Sequence, residues 1–275
     1  MPNLLENPQI KFTKNHSLEH FSHNSLLQHM KETKTALFTV IFDFDSTCVD
    51  FETNDELFAD LENVTDTQKK EIEILTDRGL DPTDQMDQPE SMKKRFDIAN
   101  PQKSDFEKFG QKNKHRIPQE IKDIIAKIRR MGGQVLIVSG GNKEIIDPLL
   151  EGVIPAEDIY ANNATKYFET NNVDDLRPID KREVIGELKN SGKIPQDTHH
   201  KVVMVGDGGS DLEVFEAGLA DIFIHARYFA DRDAMNAKIS QLPKAQQSNI
   251  IIAKKIEQLD TEIFSKTRKK LQIAA

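Results

Sequence analysis

The stretch Val40-Ile41-Phe42-Asp43-Phe44-Asp45-Ser46-Thr47 decides how the rest of the chain is read. It sets two carboxylates, two residues apart, at the end of an otherwise apolar run. Side chains two apart on a strand share a side, so both carboxylates would face the carboxyl end of a sheet. Open α/β folds bind their ligands there. Taken alone, the pair reads equally well as two loop aspartates capping the next helix. The sequence on either side has to separate the two readings.

Five β-rich runs recur along the chain, at 36–45, 134–140, 158–164, 201–208 and 220–226, most of them followed by a helical pattern. The four later runs are too apolar in their centres for half-exposed antiparallel strands. Continuous apolar runs separated by helices mark a parallel sheet covered on both faces. Ile121, Ile124, Ile125, Ile128 and Met131 form one helical stripe, closed by Gly132-Gly133. Val184, Ile185 and Leu188 form another, closed by Gly192. The expected fold is α/β, a Rossmann-like doubly wound parallel sheet.

One interval breaks the rhythm. About seventy residues between Asp45 and Pro118 carry no strand pattern, while Leu57, Phe58 and Leu61, then Ile72 and Leu75, then Met92 and Phe96 sit at helical spacing. A structureless loop of that length is uncommon in a compact domain, so a helical cap is expected after the first strand. The expected organisation is an N-terminal extension (1–34), a catalytic core (35–51 and 118–228), a cap (52–117) and a C-terminal helical extension (229–275).

Composition bounds the function. The chain has 275 residues, 37% hydrophobic and 30% charged, within the globular range. No apolar run approaches the ~20 residues of a membrane span, and residues 1–28 hold no apolar core of signal-peptide length. The single cysteine, Cys48, fits a reducing, cytoplasmic setting. A net charge of −9 argues against nucleic acid as a partner. His16, His20, His23 and His29 crowd the N-terminal extension, but no Cys, Asp or Glu completes a metal set, and a solvated polar helix is expected. Ile252, Ile256, Leu259 and Ile263 read as an amphipathic helix with a basic end at 266–270, which complements the helix macrodipole.

Three further signals follow strand ends in order. Ser139-Gly140-Gly141 offers small residues that let backbone N–H groups approach an anion. Lys181 opens a helix. Gly206-Asp207-Gly208-Gly209-Ser210-Asp211 adds two more carboxylates, too few and too widely spaced for a calcium loop. Each alone is ordinary: a strand-to-helix turn, a surface lysine, a capped helix. Together, carboxylates at two strand ends can converge on one Mg²⁺, a hard cation that bridges to phosphate. The serine, the glycine N–H groups and the lysine would cradle the phosphate itself.

This order of motifs resembles the haloacid dehalogenase superfamily, and within it the phosphoserine phosphatase group. Phe42-Asp43-Phe44-Asp45-Ser46-Thr47 resembles its first motif, Val138-Ser139-Gly140-Gly141 its second, Lys181 its lysine, and Gly206-Asp207-Gly208 with Asp211 its fourth. Ile159-Tyr160-Ala161-Asn162 resembles a strand followed in relatives by a small hairpin, which would hold Tyr167 and Phe168. The similarity runs from about Phe38 to about Ala226. It implies that Asp43 attacks phosphorus to form an aspartyl-phosphate, and that Asp45 serves as general acid and then base. It further implies Mg²⁺ on the Asp43 carboxylate, the Asp45 carbonyl and Asp207, with Asp211 orienting the metal shell or Lys181. Ser139, Gly140, Gly141, Lys181 and Ser210 would bind the substrate phosphate side.

The resemblance also implies a cap glutamate and a cap arginine gripping an ammonium and a carboxylate. Glu52 stands where the glutamate is expected. Glu90-Ser91-Met92-Lys93-Lys94-Arg95 resembles the arginine helix but puts Lys93 at the aligned place, and Arg95 fits only by a slip of two onto another helix face. Asn142 also stands where many relatives carry an aromatic residue. The expected function is a Mg²⁺-dependent phosphomonoester hydrolase for a small phosphorylated metabolite, with phosphoserine the first candidate. A phosphatase or phosphotransferase for another small amine-bearing phosphomonoester, and a non-catalytic binding protein on the same fold, remain the alternatives.

Overall fold

The fold was analysed in a computed structural model that describes residues 36–80, 86, 88–170, 172, 175, 177–198, 200–229 and 233–271. The four N-terminal histidines lie outside them. Six strands form one parallel sheet in the order β3-β2-β1-β4-β5-β6. They are β1 (Phe38–Phe42), β2 (Gly133–Asn142), β3 (Ile159–Asn162), β4 (Lys201–Gly206), β5 (Ile222–Ala226) and β6 (Ile250–Ala253). The chain moves outward from β1 in one direction and then returns to place β4 on its other side. That reversal opens a crevice beyond the carboxyl ends of β1, β2 and β4.

The strands are apolar on both faces because both are covered. Val40, Phe42, Val135, Ile137, Val203 and Val205 point into one core, and Ile41, Leu136, Val138, Val202 and Met204 into the other. Over the first face lie α5 (Gln119–Arg130), α6 (Lys143–Leu149) and α12 (Ile256–Leu271), through Ile121, Ile125, Ile145, Leu259 and Ile263. Over the second lie α8 (Lys181–Asn190), α9 (Gly209–Glu216) and α10 (Asp233–Gln241), through Ile185, Leu212, Phe215 and Met235. A last short helix, α11 (Lys244–Gln247), precedes β6. Two expected stops are met in detail: Gly132 and Gly192 take φ of 83° and 76°, the left-handed conformation that ends a helix cheaply only at glycine.

The long interval after β1 is helical, as its spacing predicts. It contains α1 (Thr53–Asp60), α2 (Asp66–Leu80), α3 (Gln88–Ala99), α4 (Lys103–Asn113) and a 3₁₀ turn, Lys114–Arg116. Leu57, Phe58, Ile72, Met92, Phe96, Phe106 and Phe109 bury continuously with the first core. Gly110 sets the approach of α4 to α6. A Cβ there would lie 2.7 Å from the Ile145 carbonyl oxygen, so only glycine lets the helices meet this closely.

Three sequence expectations are corrected. Strand β1 ends at Phe42, so Asp43 and Asp45 lie in the loop beyond it rather than on a shared strand face. Residues 250–253 form a sixth strand paired with β5, although Ile252 fits the spacing of the following helix; Ile252 is 40% exposed on the sheet edge. The expected hairpin after β3 is instead a helix, α7 (Ala164–Thr170). Tyr167 and Phe168 on it pack edge-on or tilted against Phe96 and Phe106, at ring distances of 5.2–6.3 Å. Among the described residues, no helix is long and apolar enough to cross a membrane.

Candidate active site

The loop after β1 is shaped by its own backbone. The Asp43 N–H donates to the Val205 carbonyl, continuing the β1–β4 ladder for one more residue. Cys48 N–H then returns to the Phe44 carbonyl, closing a tight turn in which Ser46 takes a φ of 53°. A serine in the left-handed region is strained, and such strain gathers where a loop is over-determined by its contacts. Here the contacts are the Ser46 Oγ donating to Glu52 Oε1 at 2.8 Å and the Tyr228 hydroxyl donating to the Thr47 carbonyl at 2.8 Å.

Beneath this loop sits a buried charge cluster. Lys181, at the first turn of α8, places Nζ 2.8 Å from Asp43 Oδ1 and 2.6 Å from Asp211 Oδ1. Asp43 Oδ1 also accepts from the Phe44 N–H at 2.8 Å. The other Asp211 oxygen accepts from the Gly208 N–H at 3.0 Å, so both its oxygens are engaged. Gly206 makes this possible, because a Cβ there would overlap the Asp211 carboxylate at 2.2 Å. Carboxylate oxygens of Asp43, Asp207 and Asp211 come within 4.8 Å of one another.

Electrostatics follow from this crowding. Burial first, then Glu52 and Asp43, push the Asp45 carboxyl well above the usual carboxylate range, against a smaller opposing pull from Thr53. Asp211 is pushed up to about 6 by burial and by Asp43, while Lys181 pulls it down. Burial works against the charge on Lys181, but Asp211 and Asp43 more than offset it and hold the ammonium above the ordinary lysine value. One cation among so many carboxylates leaves an excess of negative charge. Asp45 Oδ1 is moreover buried with no hydrogen-bond partner, while its Oδ2 accepts from Thr53 Oγ1 at 3.0 Å. A hard divalent cation suits this oxygen-only donor set.

Above the cluster opens a cavity of about 730 Å³. It brings together Asp43, Asp45, Glu52, Ser139, Gly140, Gly141, Lys181, Asp207 and Ser210, nine residues the sequence singles out. Ser139 Oγ accepts from the Gly141 N–H at 3.0 Å, bending the end of β2 so that its small residues face the opening. Asn162 supports the same bend, donating from Nδ2 to the Gly140 carbonyl and accepting at Oδ1 from the Ile179 N–H. Asn142 donates to Asn54 Oδ1 at 2.6 Å, tying the end of β2 to the start of α1.

Lys93 is not brought to the site. It is exposed on α3, bonded to Asp97 at 2.5 Å, and does not line the cavity. Arg95, two residues on, lines it instead. Two residues turn an α-helix by about 200°, which sends neighbouring basic side chains to opposite faces. Arg95 Nη1 donates to Asp55 Oδ1 at 2.7 Å and to Thr76 Oγ1 at 2.9 Å. Arg177 and Lys238 also line the cavity, and Tyr228 braces its loop; none of the three carries a sequence signal beyond its charge or ring.

Comparison with known proteins assigns the fold to a family. The family model for haloacid dehalogenase-like hydrolases matches residues 39–218. The chloroplastic phosphoserine phosphatase of Arabidopsis thaliana is 28% identical over 141 residues, covering 49% of this chain and 46% of that protein. The chain thus spans just under half the length of that plant relative. Phosphoserine phosphatase of Homo sapiens is 25% identical over 191 residues, covering 67% of this chain and 79% of that one. A phosphoserine phosphohydrolase-like protein from Francisella tularensis shares the fold with a TM-score of 0.57 at 22% identity, over 82% of this chain and 99% of its own. The matched region spans the loop after β1, the turn after β2, Lys181 and the Asp207–Asp211 turn, and the chain belongs to the haloacid dehalogenase-like hydrolases.

Proposed function

We propose that the protein is a Mg²⁺-dependent phosphomonoester hydrolase working through an aspartyl-phosphate on Asp43, with the helices between Thr53 and Arg116 as its cap. The observation that carries this is the Lys181 ammonium held between Asp43 and Asp211 under a cavity that also holds Asp45, Asp207 and Ser139. Asp43 Oδ1 is fixed by Lys181 and the Phe44 N–H, which leaves Oδ2 to attack phosphorus in line. As the P–O bond to the leaving group breaks, that oxygen takes a proton from Asp45, whose carboxyl is pushed well above the usual carboxylate range by burial and by Glu52 and Asp43. A water then loses its proton to the same Asp45 and attacks the phosphorus, restoring Asp43.

Asp43 and Asp207, with the Asp45 carbonyl, would hold the Mg²⁺, which supplies charge shielding between carboxylate and phosphate when bound. Asp211, whose oxygens are committed to Lys181 and Gly208, serves to orient Lys181 rather than to face the ion directly. Ser139, Lys181 and the N–H groups around Gly140, Gly141 and Ser210 would receive the phosphoryl oxygens. The leaving group then meets the cap wall. Glu52 suits an ammonium, which supports the amine half of phosphoserine, the first candidate by resemblance. The test is a panel of small phosphomonoesters assayed with and without Mg²⁺. Release of phosphate that requires the metal is expected, and no release from any ester would contradict the proposal.

A further inference from the structure

A small phosphomonoester that reaches Asp43 presents its leaving group to Glu52, Asp55, Thr76 and Arg95, which line the cavity on the cap side. The last three already answer one another. Arg95, whose side chain is only 10% exposed, gives Nη1 to Asp55 and to Thr76, and Thr76 Oγ1 also lies 2.9 Å from Asp55 Oδ1. The triangle spans three cap helices, α1, α2 and α3, so its geometry is set by their packing. Among the described residues, the cap wall holds two carboxylates, Glu52 and Asp55, against one guanidinium, one negative charge in excess. A substrate carboxylate entering here would meet an Arg95 charge already matched by Asp55 while facing Glu52 a turn away. The other cap cation in reach by sequence, Lys93, is turned outward onto Asp97.

On the core side, Arg182 is bound by Asp180 at 2.7 Å. Arg177 and Lys238 are exposed at the rim, where water and salt screen a single-point hold. An ammonium or a hydroxyl gains on the cap wall what a carboxylate loses. Glu52 accepts from it, and Asp55 adds a second favourable charge without releasing Arg95.

We infer that the substrate class is a phosphorylated amino alcohol or polyol without a carboxylate, and that Asp55 sets this specificity by matching the charge of Arg95. The inference rests on the phosphatase reading above and replaces its first candidate, phosphoserine. Asp55 acts here as a positioning residue.

The test compares kcat/KM for phosphoethanolamine and phosphoserine, which differ only in the carboxylate, with an aryl phosphate as control and Mg²⁺ throughout. Phosphoethanolamine is expected to be favoured at least tenfold. Asp55→Asn should move the ratio toward phosphoserine by a similar factor, because it leaves the Arg95 charge unmatched. Should that variant fail to fold, Lys93→Ala in the folded enzyme keeps the inference open to refutation, since it should leave the ratio unchanged. Equal or better turnover of phosphoserine by the unaltered enzyme would overturn the inference. So would a Lys93→Ala loss confined to phosphoserine, or cleavage of the aryl ester alone. If Arg177→Ala or Lys238→Ala removed a phosphoserine preference, the carboxylate would belong to the rim and the inference would equally fall. Absence of phosphate release from all three esters would instead sink the phosphatase reading itself.

Discussion

The floor and the cap wall of the cavity hold charge in opposite ways. On the floor, Lys181 is shared between Asp43 and Asp211 while Asp45 and Asp207 stand close by, and burial first, then Glu52 and Asp43, raise the pKa of Asp45. On the cap wall, Arg95 hydrogen-bonds Asp55 and Thr76, and Glu52 accepts from Ser46. The floor is built to take a cation and an anion together; the wall is built to choose what hangs from them. The floor is assembled from loops and helix starts anchored to the central strands of the sheet, whereas the wall is carried by three cap helices.

The contrast breaks first at Asp43. Asp43→Asn keeps nearly the same shape and cannot attack phosphorus, so turnover should fall by roughly 10⁴-fold or more with the circular dichroism spectrum unchanged. A near-normal rate in that variant would show that the floor works by another route. Chelation is the next test. Activity should vanish on treatment with a chelator and return with Mg²⁺, because the cluster's excess charge otherwise repels the phosphate.

Lys181→Ala probes stability as well as rate. Removing the one cation leaves Asp43 and Asp211 buried together, and breaking a buried pair in this way costs about 3–5 kcal/mol. Denaturant titration at neutral pH would register the loss. On the cap side, Phe96 touches Phe58, Phe106, Tyr167 and Phe168, so Phe96→Ala should cost a similar ~3–5 kcal/mol and loosen the cap without touching the floor. Hydrogen exchange concentrated in the helices from Thr53 to Asn113 would be the signature.

Glu52→Ala should have a smaller, selective effect. KM should rise roughly tenfold for amine-bearing esters and stay nearly unchanged for an aryl phosphate. A uniform rise would mean that Glu52 only braces Ser46. The smallest expected effect lies far from both regions, at His200. Burial lowers its pKa, against Asp197, the Ala36 carbonyl and Asp221, and with Lys189. A histidine depressed in the folded state binds fewer protons there than when unfolded. Its neutral form therefore stabilises the fold above the unfolded pKa of ~6.5, and that contribution is lost as pH falls below it. Stability measured from pH 7 to 5 should drop less in His200→Gln than in the unaltered chain.

The floor was legible in the sequence and the wall largely was not. Asp43, Asp45, Ser139, Lys181, Asp207 and Asp211 follow apolar strands or open helices, so the parallel-sheet pattern alone collects them at one edge. Arg95 against Lys93 depends instead on the rotational phase of a short helix, α3, whose buried side is fixed by contacts with α1 and α2. Counting residues cannot supply that phase. The edge strand β6 was hidden for a related reason: Ile252, Ile256, Leu259 and Ile263 keep helical spacing across a strand-to-helix boundary, and period alone does not separate the two. The helix at Tyr167 and Phe168 is set by the aromatic cluster beneath the cap, a contact between segments about seventy residues apart in the chain.

The account stands on covalent transfer to Asp43, and rapid acid quench during turnover examines it most directly. Enzyme mixed with a cleaved phosphomonoester and Mg²⁺, quenched and digested, should yield one phosphorylated peptide carrying the modification on Asp43, absent without Mg²⁺ and absent in Asp43→Asn. Steady release of phosphate with no enzyme-bound phosphoryl group at any quench time, or with the group on another residue, would contradict it.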